Sequence, residues 1–196
     1  MSTETSKAQD VVSAGLITNP SAGDTVGAGG VYTVTCVGPD GVEKWSDTFH
    51  NLVMNGGVAN MNSVYFASGT QTNTWYLGLV TGPGSGTTYS ATDTLASHGA
   101  TGSGGWTENT DYTPSGRKAV TFGSATNANP SVITNSASPS SFAINATATI
   151  AGAFLCNAAS GTTGVLFSAG DFTGGDKSVA SGDTLNVTYT FSLTAT

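Results

Sequence analysis

Three groups of residues have the types and spacing for chemistry. Asp93, Ser97 and His98 hold the side chains of a hydrolytic triad within six positions. Adjacent Ser and His side chains do not reach each other productively, and no G-x-S-x-G elbow surrounds this serine. His98 is therefore expected to cap a short helix or bond a loop carbonyl. His50, between Phe49 and Asn51 at the end of a strand pattern, also reads as structural. Glu108 and Asp111 stand beside Trp106 and Tyr112, so paired carboxylates lie next to an aromatic platform of the kind that suits a sugar. The plainer reading is a loop pinned by its aromatics, with solvated carboxylates. Asp171-x-x-Gly-Gly-Asp176 is an oxygen-rich turn that suits a hard cation, although its spacing matches neither an EF-hand nor a nonapeptide repeat.

The remaining carboxylates have local explanations. Glu43 and Asp47 fall on a hairpin strand, and Asp183 falls in a turn, where Asp bonds its own backbone. Gly102-x-Gly104-Gly105 lacks the helix and lysine of a phosphate loop. The two cysteines, Cys36 and Cys156, show no zinc spacing and sit beside Val34 and Phe154 on apolar strand faces. They read as buried free thiols. No catalytic residue, metal or cofactor is assigned, and the chain is expected to bind rather than to catalyse.

The elements that would position these residues are strands. Tyr32, Val34 and Cys36 alternate with Thr33 and Thr35, the period of a half-buried strand. Gly38-Pro39-Asp40-Gly41 is a turn, and Val42 to Phe49 returns as the second arm of a hairpin. Asn55-Gly56-Gly57 breaks the pattern, and a short helix is expected over Val58 to Phe66. Trp75, Leu77 and Leu79 share a strand face. A helical turn is expected over Asp93 to His98, capped by Thr92 or Asp93. Arg117 to Gly123 reads as a strand and residues 124–140 as a polar connection. Phe142 to Ile150 alternates and continues to Cys156. Thr163 to Ser168 reads as a short strand, and Gly170 to Gly182 as turns. The clearest strand is the last, with Leu185, Val187, Tyr189, Phe191 and Leu193 on one face and Asn186, Thr188, Thr190 and Ser192 on the other. It is expected in the middle of a sheet. The fold class is all-β, a β-sandwich or jelly-roll-like body with an extended N-terminal arm and at most one or two short helices. Residues 1–30 form the arm and residues 31–196 the sandwich. The arm's apolar residues Val11, Val12, Leu16 and Ile17, with Trp106 and Tyr112 of the long loop, are the candidate interface residues.

Composition narrows the class of partner. Only 9% of the 196 residues are charged, against about 25% in an ordinary soluble domain, and 27 are Gly. Five Lys and Arg against twelve Asp and Glu give a net charge of −7, with Arg117-Lys118 the one adjacent basic pair. Nucleic-acid binding needs clustered cations and is not expected. No segment approaches the roughly 20 apolar residues of a membrane span. Met1 to Val12 shows no basic region leading into an apolar stretch, so no export signal is expected. A surface of hydroxyls, amides and small side chains suits a protein packed against copies of itself or a larger assembly.

Several short words in order carry a family resemblance. Lys44-Trp45 through His50-Asn51-Leu52-Val53, Trp75-Tyr76-Leu77-Gly78-Leu79, Asp93-Thr94-Leu95-Ala96-Ser97-His98, Gly105-Trp106-Thr107-Glu108 and Ser181-Gly182-Asp183-Thr184-Leu185-Asn186-Val187-Thr188-Tyr189 resemble a family of tailed-bacteriophage structural proteins. The resemblance runs from about Val31 to the C-terminus. It implies a virion component and supplies no catalytic residues. The expectation is a capsid decoration, or cement, protein on the capsid exterior, assembled in the bacterial host cytoplasm. Its partners would be the major capsid protein and copies of itself as a homo-oligomer. The alternative is a tail or fibre component that binds a receptor or glycan through the loop from Trp106 to Tyr112.

Overall fold

The structure, a computed structural model, describes residues 25–82, 89–98 and 106–195. Within them the first half of the chain forms β1 (Val26–Val37), β2 (Glu43–His50), β3 (Leu52–Val53), α1 (Asn55–Phe66), β4 (Trp75–Thr81) and α2 (Leu95–His98). The short strands β5 (Glu108–Asn109), β6 (Tyr112–Thr113) and β7 (Lys118–Val120) follow. The second half forms β8 (Ser131–Thr134), β9 (Ser140–Ile144), β10 (Ala148–Cys156), β11 (Leu166–Asp171), β12 (Lys177–Val179) and β13 (Thr184–Ala195).

These strands make two antiparallel sheets, an all-β sandwich. The first has the order β2-β1-β13-β9-β6, with β8 also pairing β13. The second has the order β3-β11-β10-β4-β5, with β12 on β10 and β7 on β4. As its alternation requires, β13 lies inside a sheet. It pairs β1 along its whole length, with Leu185 opposite Cys36, Val187 opposite Val34 and Tyr189 opposite Tyr32. A slip of one residue would turn this entire apolar row to solvent, so the register is fixed by burial. The hairpin β1–β2 turns through Gly41 at φ 77°, a conformation glycine adopts without strain.

The core has two parts. Between the sheets, Tyr32, Val34 and Phe49 of the first pack against Leu77, Leu79, Ala153 and Leu155 of the second. On the far side of the second sheet, Met54, Leu95 and Trp106 cover Val80, Phe154, Leu166 and Ala169. Strands β4 and β10 are therefore buried on both faces, which is why their sequences run Leu-Gly-Leu-Val and Ile-Ala-Gly-Ala-Phe-Leu-Cys without polar alternation.

Four expectations are corrected. The first strand begins at Val26, inside the segment assigned to the arm. The helix begins at Asn55 rather than Val58, taking in the glycines that end the strand pattern: α1 presses on β11 so closely that a Cβ on Gly57 would lie 2.8 Å from the Phe167 carbonyl oxygen. The alternating run from Phe142 to Cys156 is two strands in different sheets, parted at Asn145, whose backbone N–H donates to the Asp111 carbonyl at 3.1 Å. One strand of about 15 residues would exceed the usual length. The polar connection 124–140 contains β8, which adds Val132 and Ile133 to the first sheet.

Candidate functional site

Of the triad-like residues, Asp93 and Ser97 serve local structure. The Asp93 carboxylate accepts the Ser90 backbone N–H at 2.8 Å. The Ser97 hydroxyl donates to the Thr94 carbonyl at 2.9 Å, and the Ser97 N–H donates to Thr94 Oγ1 at 3.2 Å. Thr94, rather than Thr92 or Asp93, is thus the residue that caps α2. The side chain of His98 lies outside the described residues. His50 stands opposite Val31 at the end of β2, on the outer face of the first sheet.

The carboxylate and aromatic group is also drawn inward. Trp106 is buried beneath the second sheet, its ring 5.5 Å from Phe154 and 5.6 Å from Tyr89. Tyr112 is buried edge-on against Phe142 at 4.8 Å. Both were expected at an interface; both are interior residues that pin their loop, and neither offers a ring face to a sugar. Asp111 is held by Asn109, whose side-chain amide donates to it at 2.9 Å. Glu108 binds Arg117 in a two-pronged pair, Nε to Oε1 at 2.9 Å and a terminal guanidinium nitrogen to Oε2 at 2.7 Å. A carboxylate so engaged anchors a buried cation.

Asp171 accepts the Tyr89 hydroxyl at 3.1 Å, and burial holds its pKa above the usual carboxylate range. Among the described residues, no three His, Cys, Asp or Glu side chains gather as a set that could hold a metal. Both cysteines are buried free thiols. Burial pushes the Cys36 thiol up to about 11, and burial also raises that of Cys156, which donates to the Ala158 carbonyl at 3.3 Å.

Asp183 ties the β12–β13 turn to β2. It accepts the Lys44 ammonium at 2.6 Å and the Ala180 N–H at 2.9 Å, and the Lys44 bond holds its carboxyl below the usual range. Because the folded state holds this proton less tightly than the unfolded chain, the stabilisation is complete above the ordinary carboxylate pKa of about 3.9 and is lost as pH falls below it. Asp183→Asn is therefore expected to lower the urea midpoint at pH 7, with the gap to the parent closing as pH drops through the acid range. A gap that stays constant with pH would show that the charge of Asp183 contributes nothing.

Two surfaces remain. The first is the outer face of the first sheet. Thr33 stands opposite both Thr48 and Thr188, and Thr35 opposite both Ser46 and Asn186, so hydroxyls and amides form rows across three strands. Neighbours bond to each other: Thr33 to Thr48 at 3.1 Å, Thr35 to Ser46 at 3.2 Å and Thr190 to Thr134 at 2.9 Å. The outward positions of β1 and β13 carry no charged residue. The second is an apolar cleft of about 330 Å³ at one end of the sandwich, lined by Met61, Tyr65, Trp75, Ile133, Phe191 and Leu193 among others. Sequence reasoning missed this cleft. Its walls come from segments scattered from Met61 to Leu193, and the one signal was a helix ending in Tyr65-Phe66, both more than 80% exposed. Val11, Val12, Leu16 and Ile17 lie outside the described residues.

No family model, curated protein or solved structure matches this chain.

Proposed function

We propose that this protein is a structural component of a tailed-phage virion, a decoration protein that binds the outer capsid surface and bridges neighbouring capsomers. The observation that carries the reading is the rows of hydroxyls on the outer face of the first sheet, built on Thr33, Thr35, Thr188 and Thr190 of β1 and β13, whose outward positions carry no charge. Covering a charged surface requires its desolvation, whereas hydroxyls already bonded to one another lose little when a second surface covers them. A broad face of this kind suits a flat, repeated contact. The engagement of Ser97, Glu108 and Asp183 in structural bonds agrees with a binding role. Mechanism here is contact alone: many copies, each with modest affinity, sum to a stabilised shell through multivalency.

The experiment is to add purified protein to undecorated capsids, pellet them and image them. Saturable binding in a regular array on the shell is the expected result. Thr33→Lys places a cation in the middle of the hydroxyl rows and is expected to weaken binding at least about tenfold, or ~1.4 kcal/mol. Absence of shell binding with labelling of tails instead would overturn the capsid assignment. Unchanged affinity in Thr33→Lys would move the contact off this face.

A further inference from the structure

The inner apolar rows of the first sheet run past the edge of the second. In β1, Tyr32, Val34 and Cys36 are fully buried, yet Val26, in the same phase, is 69% exposed. In β13, Leu185, Val187 and Tyr189 are buried, while Phe191 and Leu193 continue the row into the open cleft. Ile133 widens this floor because β8 pairs β13 at Phe191. The opposite wall is Met61 and Tyr65 of α1 with Trp75. The lining contains no charged side chain. An apolar overhang of this kind calls for a cover.

The start of the chain has the length, the position and the chemistry to supply one. β1 begins at Val26, opposite Ala195, so the preceding residues join the sheet at the overhang that floors the cleft. Residues 11–23 carry no charge, between Asp10 and Asp24, and hold the apolar pairs Val11-Val12 and Leu16-Ile17. Nine residues from Ile17 to Val26 reach up to about 30 Å when extended. The far side of the cleft floor, on β8, is two strand spacings from β1, or about 10 Å. Asn19-Pro20 and Gly23, between them, are residue types that chain reversals use. Tethering at Val26 also holds the apolar pairs at a roughly millimolar effective concentration.

We propose that Leu16 and Ile17, with Val11 and Val12 behind them, seat in the cleft of their own chain and complete the end of the sandwich. The seating is a property of the isolated chain and holds whether or not the protein binds capsids, so the capsid experiment and this one fail independently.

Methyl-labelled full-length protein provides the test. Nuclear Overhauser contacts are expected from the methyls of Leu16 and Ile17 to those of Ile133 and Leu193. In a full-length Leu16→Asp, Ile17→Asp variant these contacts are lost and the Ile133 and Leu193 resonances shift. Those of Leu185 and Val187, deep between the sheets, stay in place and report that the body is folded. Binding of an apolar dye rises in the same variant. Absence of the contacts in the parent, or unmoved cleft resonances in the variant, would overturn the proposal. Contacts seen only between differently labelled copies would overturn its same-chain form.

Discussion

Replacing Arg117 with methionine is expected to lower the unfolding free energy by about 3–5 kcal/mol, the cost of breaking a buried ion pair by removing one partner. The Arg117 side chain is fully buried. Besides the two bonds to Glu108, its guanidinium donates to the Ala158 carbonyl at 3.0 Å and the Gly161 carbonyl at 2.8 Å. It also lies 5.2 Å over the Phe154 ring. Burial alone disfavours the charge, but the Glu108 bonds outweigh it and the pKa is raised. One planar group thus joins β5, the start of β7 and the loop after β10. Methionine fills much of the volume and satisfies none of the acceptors, leaving Glu108 and two carbonyls without this partner. Arg117→Lys is expected to recover little, because an ammonium cannot reproduce the two-pronged fork and still reach both carbonyls. Glu108→Gln keeps one acceptor and is expected to cost less than Arg117→Met. Urea unfolding with an unchanged slope measures all three. A loss under about 1 kcal/mol for Arg117→Met would mean that packing and backbone bonds, such as that from the Arg117 N–H to the Ala159 carbonyl, hold the loop after β10 without the guanidinium.

That network shows where the sequence stops being legible. The local signals translated directly: the Gly38-to-Gly41 turn made its hairpin, and the alternating row from Leu185 to Leu193 became the strand inside the first sheet. Cys36 and Cys156 went to the core because their neighbours are apolar. These features depend on periodicity and turn chemistry, which act over a few residues. Pairings across long separations were not visible. Lys44 meets Asp183 across 139 positions, and neither residue type marks the other in advance. Alternation also failed to mark the crossing between β9 and β10, since Ala146 and Ala148 keep the period while the chain changes sheets. Among the residues that suggested chemistry, Asp93, Ser97, Glu108 and Asp111 bond within or between loops, and Trp106 and Tyr112 are buried. A protein with so few charged residues has turned Arg117, Glu108, Lys44 and Asp183 toward structure, which leaves its broad strand faces to hydroxyls.

Gly152→Ala is expected to destabilise the fold by about 3 kcal/mol or more, at the upper end of overpacking costs. Gly152 lies in β10, opposite Asp171 on one side and Val80 on the other, beside the irregularity that follows Ile150. A Cβ there would overlap the Gly170 carbonyl oxygen and lie 2.9 Å from the carbonyl carbon. Both are backbone atoms, so no side-chain rotation relieves the contact. The neighbouring strand cannot retreat either, because a Cβ on Gly170 would itself lie 2.7 Å from the His50 carbonyl oxygen and 3.1 Å from the Phe49 ring. Two glycines in series let β10, β11 and the end of β2 stack backbone on backbone. With β10 bonded to β4, β11 and β12 and buried on both faces, a shift at Gly152 would disturb the whole second sheet. Gly29→Ala is the matched control. A Cβ at Gly29 meets nothing within 4 Å, so alanine there should be neutral or stabilising by roughly 0.5–1 kcal/mol, through the lower entropy of its unfolded chain. Thermal and urea midpoints should therefore fall well below the parent for Gly152→Ala and stay at or above it for Gly29→Ala. Equal midpoints would show that the second sheet yields at Gly152, and that its close stacking is a consequence of the fold rather than a condition for it.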